Sequence, residues 1–174
     1  MNKSNFDIKV VSPSNLEYLT QCLDIAEENL EANGGTLMFP SIVCHCQYII
    51  CAVKEEKILG YLGLVKNFAI KNDLYIMQIA VRKNQMNQGI GTSLVEYLKC
   101  HSKGYEYITS NVKVDNQASN KLHQKMGFER FDSYSGYLYL MNVDKIDKNE
   151  YLFFTEEQEM EWLWQKNRLK CQYL

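Results

Sequence analysis

The stretch Asn87-Gln88-Gly89-Ile90-Gly91-Thr92-Ser93-Leu94 constrains this chain more than any other. Before it runs a strand pattern, Asp73 to Val81, closing on the alternation Leu74, Ile76, Gln78, Ala80. After it, Gly89 to about His101 reads as a helix with Ile90, Leu94, Val95 and Leu98 on one face. Two glycines opening such a helix leave several backbone N–H groups unobstructed, and the helix dipole adds positive potential there. A phosphate or pyrophosphate is the natural guest. Seven Lys or Arg stand against three Asp or Glu between Val81 and Lys125, although the whole chain carries 19 basic and 21 acidic residues, a net charge of −2. The alternative is a plain tight turn, because Gly-x-Gly alone is a short signal. Two better-known phosphate loops do not fit. No Lys follows Gly91, as a nucleotide P-loop requires, and Leu94 stands where a dinucleotide fold needs its third glycine.

The rest of the chain supplies the elements around this unit. Phe6 to Val11 reads as a first strand, and Ser12-Pro13 opens a helix with Ser12 as N-cap. Leu16, Leu19, Leu23, Ala26 and Leu30 follow at helical spacing until Asn33-Gly34-Gly35 stops them. Tyr48 to Val53 and Ile58 to Val65 flank the polar turn Lys54-Glu55-Glu56-Lys57 as a hairpin. Tyr105 to Val114 is a further strand, and Asn116 to Met126 a helix with Ala118, Leu122 and Met126 on one side, capped by Gly127. Phe128 to Phe131 and Gly136 to Val143 close the domain as a hairpin. The pattern predicts an α/β (α+β) protein built on one mixed sheet, with a domain over residues 1–143. Residues 144–174 read as an extension holding one amphipathic helix. Thr155 and Gln158 form its capping box, and Met160, Leu163 and Trp164 its apolar stripe. That stripe either packs on the parent domain or offers a homodimer contact.

Composition excludes several classes. At 46% hydrophobic and 23% charged residues the chain is globular rather than disordered. Its balanced charge argues against duplex DNA, and no ordered aromatic and basic stripe argues for RNA, so no nucleic-acid partner is expected. The longest apolar run, Tyr48 to Val53, is far below the roughly 20 residues that span a bilayer. The N-terminus shows no signal peptide, so a cytoplasmic protein without a membrane partner is expected. Six cysteines then read as reduced thiols. Cys44-His45-Cys46 has one intervening residue where zinc sites usually have two to four, and an extended chain would put Cys44 and Cys46 on one face. Small buried apolar side chains are the better reading, and no metal is expected.

Two blocks carry a family resemblance. Ile79-Ala80-Val81, a short loop, then Gln85-Met86-Asn87-Gln88-Gly89-Ile90-Gly91 is similar to a strand ending in Val followed by Gln/Arg-x-x-Gly-x-Gly/Ala. Asn116-Gln117-Ala118-Ser119-Asn120-Lys121-Leu122-His123-Gln124-Lys125-Met126-Gly127-Phe128 is similar to Asn-x-x-Ala/Ser-x-x-Leu-Tyr-x-Lys-x-Gly-Phe. In this order and separation the blocks resemble the GCN5-related N-acetyltransferase (GNAT) family, over about Phe6 to Val143. The resemblance implies a mostly antiparallel sheet splayed between its fourth and fifth strands, and acetyl-CoA as cosubstrate. It implies that Met86, Asn87 and the Gln88, Gly89, Ile90, Gly91 and Thr92 backbone hold the pyrophosphate. Ile79, Ala80 and Val81 would pair with the pantetheine arm, an N–H of Ile79 or Val81 would donate to the thioester oxygen, and Asn116 and Ser119 would complete the cofactor site. His123, in place of the commoner Tyr, would be the catalytic residue. It would act as acid on the leaving thiolate, as base, or only complete the helix surface.

Two further departures bear on activity. Met86 replaces a Gln or Arg that would contact phosphate, and Gln78 replaces a frequent Glu base and cannot accept a proton. Glu27, Glu28 and Glu31 are the replacement bases the sequence offers, or a cationic-amine site, against a solvated helix face. The resemblance implies acetyl transfer to a primary amine of a small molecule or peptide. The competing function is a catalytically silent acetyl-CoA-binding sensor or partner domain.

Overall fold

The structure, a computed structural model, describes residues 5–29, 40–67, 72–102, 104–133 and 136–143. The C-terminal extension, Leu30, Glu31 and the Asn33-Gly34-Gly35 stop lie outside them. Strand β1 (Asp7–Val11) leads to helix α1 (Leu16–Glu28), a 3-10 turn (Pro40–His45), and strands β2 (Tyr48–Lys54), β3 (Lys57–Lys66) and β4 (Asp73–Val81). A 3-10 turn at Lys83–Gln85 precedes helix α2 (Ile90–His101). Strand β5 (Tyr107–Val112), helix α3 (Gln117–Lys125) and strands β6 (Glu129–Ser133) and β7 (Gly136–Asn142) complete the described order. The sheet runs β1-β2-β3-β4-β5-β7-β6. Among the described strands only β4 and β5 pair in parallel.

Helices cover both faces. Ile90, Leu94, Val95 and Leu98 of α2 pack on Ile50, Leu62, Leu74, Ile76 and Ile108. On the opposite face Cys22, Ile25 and Ala26 of α1 meet Ile49, Cys51, Val53, Ile58, Tyr61 and Ala80. Burial on both sides explains why β2 reads as an unbroken apolar run rather than an alternation. The β2–β3 turn is tight because Glu55 and Glu56 both take left-handed φ values, 49° and 63°, which matches the twist of a two-residue hairpin.

Several local expectations are corrected. The N-cap of α1 is Asn15, whose side chain accepts from the Tyr18 N–H at 3.3 Å. Ser12 instead closes a turn ahead of it, its carbonyl accepting from Asn15 N–H at 3.0 Å. Leu16 is 74% exposed rather than part of the core face, on which Ala26 is buried and Leu19 and Leu23 pack as expected, together with Cys22 and Ile25. Cys44 and Cys46 are not on an extended segment: the 3-10 turn leaves Cys44 exposed and Cys46 buried. Among the described residues no three His, Cys, Asp or Glu are grouped to hold a metal ion, and no helix is long and apolar enough to cross a membrane. Strand β5 is shorter than Tyr105 to Val114, and around α3 Leu122 and Met126 pack on the core as expected, whereas Ala118 is exposed and His123 is buried.

The alternation Leu74, Ile76, Gln78, Ala80 does not mark one face of β4. Against β3, Leu64 pairs with Ile76 and Gly63 with Gln78, so Met77 is an extra residue, a β-bulge. It sends Leu74 and Ile76 toward α2 and Ala80 toward α1.

Candidate active site

The bulge falls where the sheet opens. Pairing of β4 with β5 runs from Asp73↔Tyr107 to Ile76↔Ser110 and stops, while β4 stays paired to β3 as far as Val81↔Gly60. The fourth and fifth strands are thus splayed, as the resemblance implied. Arg82 N–H donates to Leu59 O at 2.9 Å, which fixes the hydrogen-bond phase of this end of β4. By alternation, Ala80 turns its backbone groups to β3, and Ile79 and Val81 turn theirs to the open side. Asn29 Nδ2 already reaches Val81 O there, at 3.0 Å.

Beyond Val81 the chain passes the 3-10 turn and enters α2 through two left-handed residues, Asn87 (φ 62°) and Gly89 (φ 81°). A Cβ on Gly89 would meet nothing within 4 Å, so its conformation, not its surroundings, requires glycine. The first bond of the helix is Ser93 N–H to Gly89 O, 2.9 Å. The N–H groups of Ile90, Gly91 and Thr92 precede it and have no acceptor within the helix. Ile90 is 2% exposed and anchors this end in the core, whereas Met86 lies out at 41%. Gln88 Nε2 donates to Asn84 O at 3.4 Å, within the loop.

Helix α3 stands beside this loop. A Cβ on Gly91 would lie 3.3 Å from Leu122, and Lys125 Nζ donates to Thr92 Oγ1 at 3.5 Å. The Lys125 ammonium therefore sits at the positive end of α2, a placement the sequence analysis did not single out. Asn116 caps α3, its Oδ1 accepting from Ser119 N–H at 3.1 Å.

His123 is not on the helix surface. It is 1% exposed, wedged edge-on to Phe128 with ring centroids 5.0 Å apart and against Tyr139 at 4.8 Å. Its Nδ1 lies 2.8 Å from Ser119 O and 3.3 Å from Ser119 Oγ. A carbonyl can only accept, so Nδ1 carries the proton of the neutral ring and Nε2 presents a lone pair. Nε2 is buried without a partner among the described residues. Burial pushes the pKa of His123 below the usual imidazole value, the Ser119 carbonyl opposing it. The resting ring is neutral and a proton acceptor at Nε2.

The expected bases fare differently. Gln78 is buried and its Oε1 accepts from Tyr61 O–H at 2.6 Å. Burial holds Tyr61 well above the ordinary phenol value, so it is a donor here. Glu28 does not stand on a solvated face. Its Oε1 pairs with Arg82 Nη1 at 2.6 Å and its Oε2 accepts from Lys83 N–H at 3.0 Å. Glu27 is exposed, and Glu31 lies outside the described residues.

A sheet opened beside β4, a glycine loop at a helix N-terminus and a second helix against that loop together define an acyl-CoA N-acyltransferase fold. A model of the acetyltransferase (GNAT) family matches residues 18–128, more than half of the chain, and the chain belongs to that family. No curated protein matches its sequence significantly. Among solved structures, the PaiA N-acetyltransferase of Thermoplasma acidophilum in complex with coenzyme A is 14% identical with a TM-score of 0.64, covering 78% of this chain and 99% of that one. The catalytic domain of the Tetrahymena GCN5 histone acetyltransferase in complex with coenzyme A is 14% identical with a TM-score of 0.63, over 84% and 98%. YncA of Salmonella typhimurium, solved with acetyl-CoA, is 14% identical with a TM-score of 0.60, over 83% and 97%. These likenesses establish a shared fold.

Proposed function

We propose that the chain transfers acetyl from acetyl-CoA to a primary amine of a small molecule or peptide by direct attack. One observation carries the reading. The backbone groups of Ile79 and Val81 face the opened side of β4, and the same strand runs on into the left-handed loop that opens α2. An extended amide-bearing arm can pair along that edge while its phosphates reach the α2 N-terminus.

Ile90, Gly91 and Thr92 N–H groups hold the pyrophosphate, and the Lys125 ammonium beside Thr92 adds the charge that Met86 does not supply. Met86, Asn87, Gln88 and Gly89 wrap the same phosphates with backbone, and Asn116 and Ser119 border the arm from the start of α3. Acetyl-CoA, when bound, supplies an acetyl group activated as a thioester. An Ile79 or Val81 N–H donates to the carbonyl oxygen as negative charge develops there. The free amine forms the new C–N bond, the C–S bond breaks, the ammonium proton leaves, and the thiolate takes up a proton. His123 Nε2 receives the amine proton, directly or through one water. The ring is less suited to donating one, because burial disfavours its cationic form.

A second reading is a silent acetyl-CoA-binding domain acting as sensor or partner. The engagement of Gln78 by Tyr61, in the position of the frequent Glu base, favours it. The test is a thermal-shift series with acetyl-CoA, coenzyme A and NADH, followed by an amine screen with thiol detection. A ligand at about 100 times its Kd adds about 2.7 kcal/mol. A shift with the coenzyme A forms and none with NADH supports the cofactor, thiol release with an amine supports the enzyme, and binding without release favours the silent domain.

A further inference from the structure

We propose that Glu28 is a positioning residue for the coenzyme loop, setting with Asn29 the point at which that loop leaves β4. The inference rests on the acetyl-CoA reading above.

Three consecutive residues at the end of β4 are held from outside the strand. Val81 O accepts from Asn29 Nδ2 at 3.0 Å, and the same amide nitrogen donates to Ile25 O at 2.8 Å. Arg82 is fixed through its Nε on Ile58 O at 2.8 Å and its Nη1 on Glu28 at 2.6 Å. Lys83 N–H is taken by the other Glu28 oxygen at 3.0 Å. Both carboxylate oxygens are therefore committed, one to a guanidinium and one to the backbone of the loop itself. The pair is only partly solvated, with side chains 24% and 34% exposed, so it is screened less than an ordinary surface pair.

What it holds has little else to hold it. No residue from Lys83 to Gly89 is buried. The loop hangs between two anchors, the Glu28–Asn29 clamp at its start and Ile90 in the core at its end. The N–H groups of Ile90, Gly91 and Thr92 are fixed by the second anchor, but the Met86 to Gly89 backbone that wraps the same phosphates lies between the two, and its path depends on where the loop begins. Releasing the first anchor leaves the loop to be ordered by the ligand, which lowers affinity without removing any ligand contact.

The test is calorimetric titration of coenzyme A into the full-length wild type, Glu28→Ala, Glu28→Gln and, as a control on the same helix, Glu27→Ala, with melting temperatures recorded alongside. The expected result is a Kd about tenfold higher for Glu28→Ala, a smaller rise of about threefold for Glu28→Gln, and no change for Glu27→Ala. Gln keeps an acceptor for Lys83 N–H and loses the ion pair, hence its partial rescue. A lower melting temperature with an unchanged Kd for Glu28→Ala would mean the clamp serves only stability, and overturns the proposal. Tighter binding, from a released Arg82 reaching the phosphates, overturns it as well. If Glu28→Ala cannot be purified folded, the Glu28→Gln titration decides: a raised Kd supports the clamp and an unchanged one rejects it. Wild type that binds no coenzyme A at millimolar concentration would refute the cofactor reading and the clamp's role with it.

Discussion

Replacing Asp73 with Asn should stabilise the protein at neutral pH. Asp73 is 1% exposed at the start of β4, where that strand is still paired to β5. Its Oδ2 accepts from Thr109 Oγ1 at 2.6 Å and from Asn67 Nδ2 at 2.7 Å, while Oδ1 is buried without a partner among the described residues. Desolvation outweighs both hydrogen bonds and pushes the carboxyl up to about 6 from 3.8. A raised carboxyl pKa means the folded state holds the proton more tightly than the unfolded state. The protonated group's contribution is therefore full below the unfolded pKa and is lost as pH climbs through the folded one. Two pKa units correspond to about 3 kcal/mol, an upper bound for the ionised side chain's penalty above pH 6. Asn keeps an oxygen for Thr109 and Asn67, carries no charge, and leaves the two N–H bonds of its amide nitrogen to be satisfied. A net gain of about 1–2 kcal/mol at pH 7.5 is expected, or a rise in melting temperature of about 2–8 °C for a chain of this size. Circular-dichroism melts of both proteins at pH 4, 5.5 and 7.5 isolate the effect, because other titrations cancel in the difference. The advantage of Asp73→Asn should be small at pH 4 and grow toward pH 7.5. An advantage independent of pH, or an Asn variant less stable at pH 7.5, would refute the desolvation argument.

Substituting His123 with Phe, which keeps the packing on Phe128 and Tyr139, should lower kcat/KM about 100-fold while leaving the coenzyme A Kd unchanged in calorimetry. In the wild type the rate should fall on the acid side only below the usual imidazole pKa, since burial keeps the ring neutral to lower pH; a fall already at pH 7 would refute the assignment. Gly89→Ala forces a Cβ onto a left-handed residue and should cost about 1 kcal/mol of stability together with several-fold in coenzyme A affinity, read by melting and titration. Lys125→Ala should weaken coenzyme A binding and flatten its dependence on ionic strength, an unchanged salt slope showing that the ammonium does not meet phosphate.

Much of this protein is local and was legible as such. The strand, glycine loop and amphipathic helix from Asp73 to His101 are adjacent in sequence, and hydrophobic periodicity with one left-handed glycine suffices to place them. The hairpin at Glu55-Glu56 is local in the same way, and so is the Asn116 cap of α3, which the sequence analysis did not name. The start of α1 shows where local reasoning slips: Ser12 and Asn15 are both good caps, the helix begins after Asn15, and Leu16 in its first turn is exposed while Cys22 and Ile25 are buried.

The two sequence blocks determined the family and the placement of its glycine loop, because backbone conformation at glycines and helix ends depends on neighbours in the chain. Tertiary structure alone decided how the site is held and which groups remain available for chemistry. Glu28 meets Arg82 across 54 positions, Tyr61 occupies Gln78 across 17, and the Met77 bulge exists only against β3. His123 has the same spacing as a surface histidine, yet packing against Phe128 and Tyr139 buries it and leaves Nε2 as a bare acceptor. Desolvation and long-range pairing depend on which surfaces meet, which sequence spacing alone does not show.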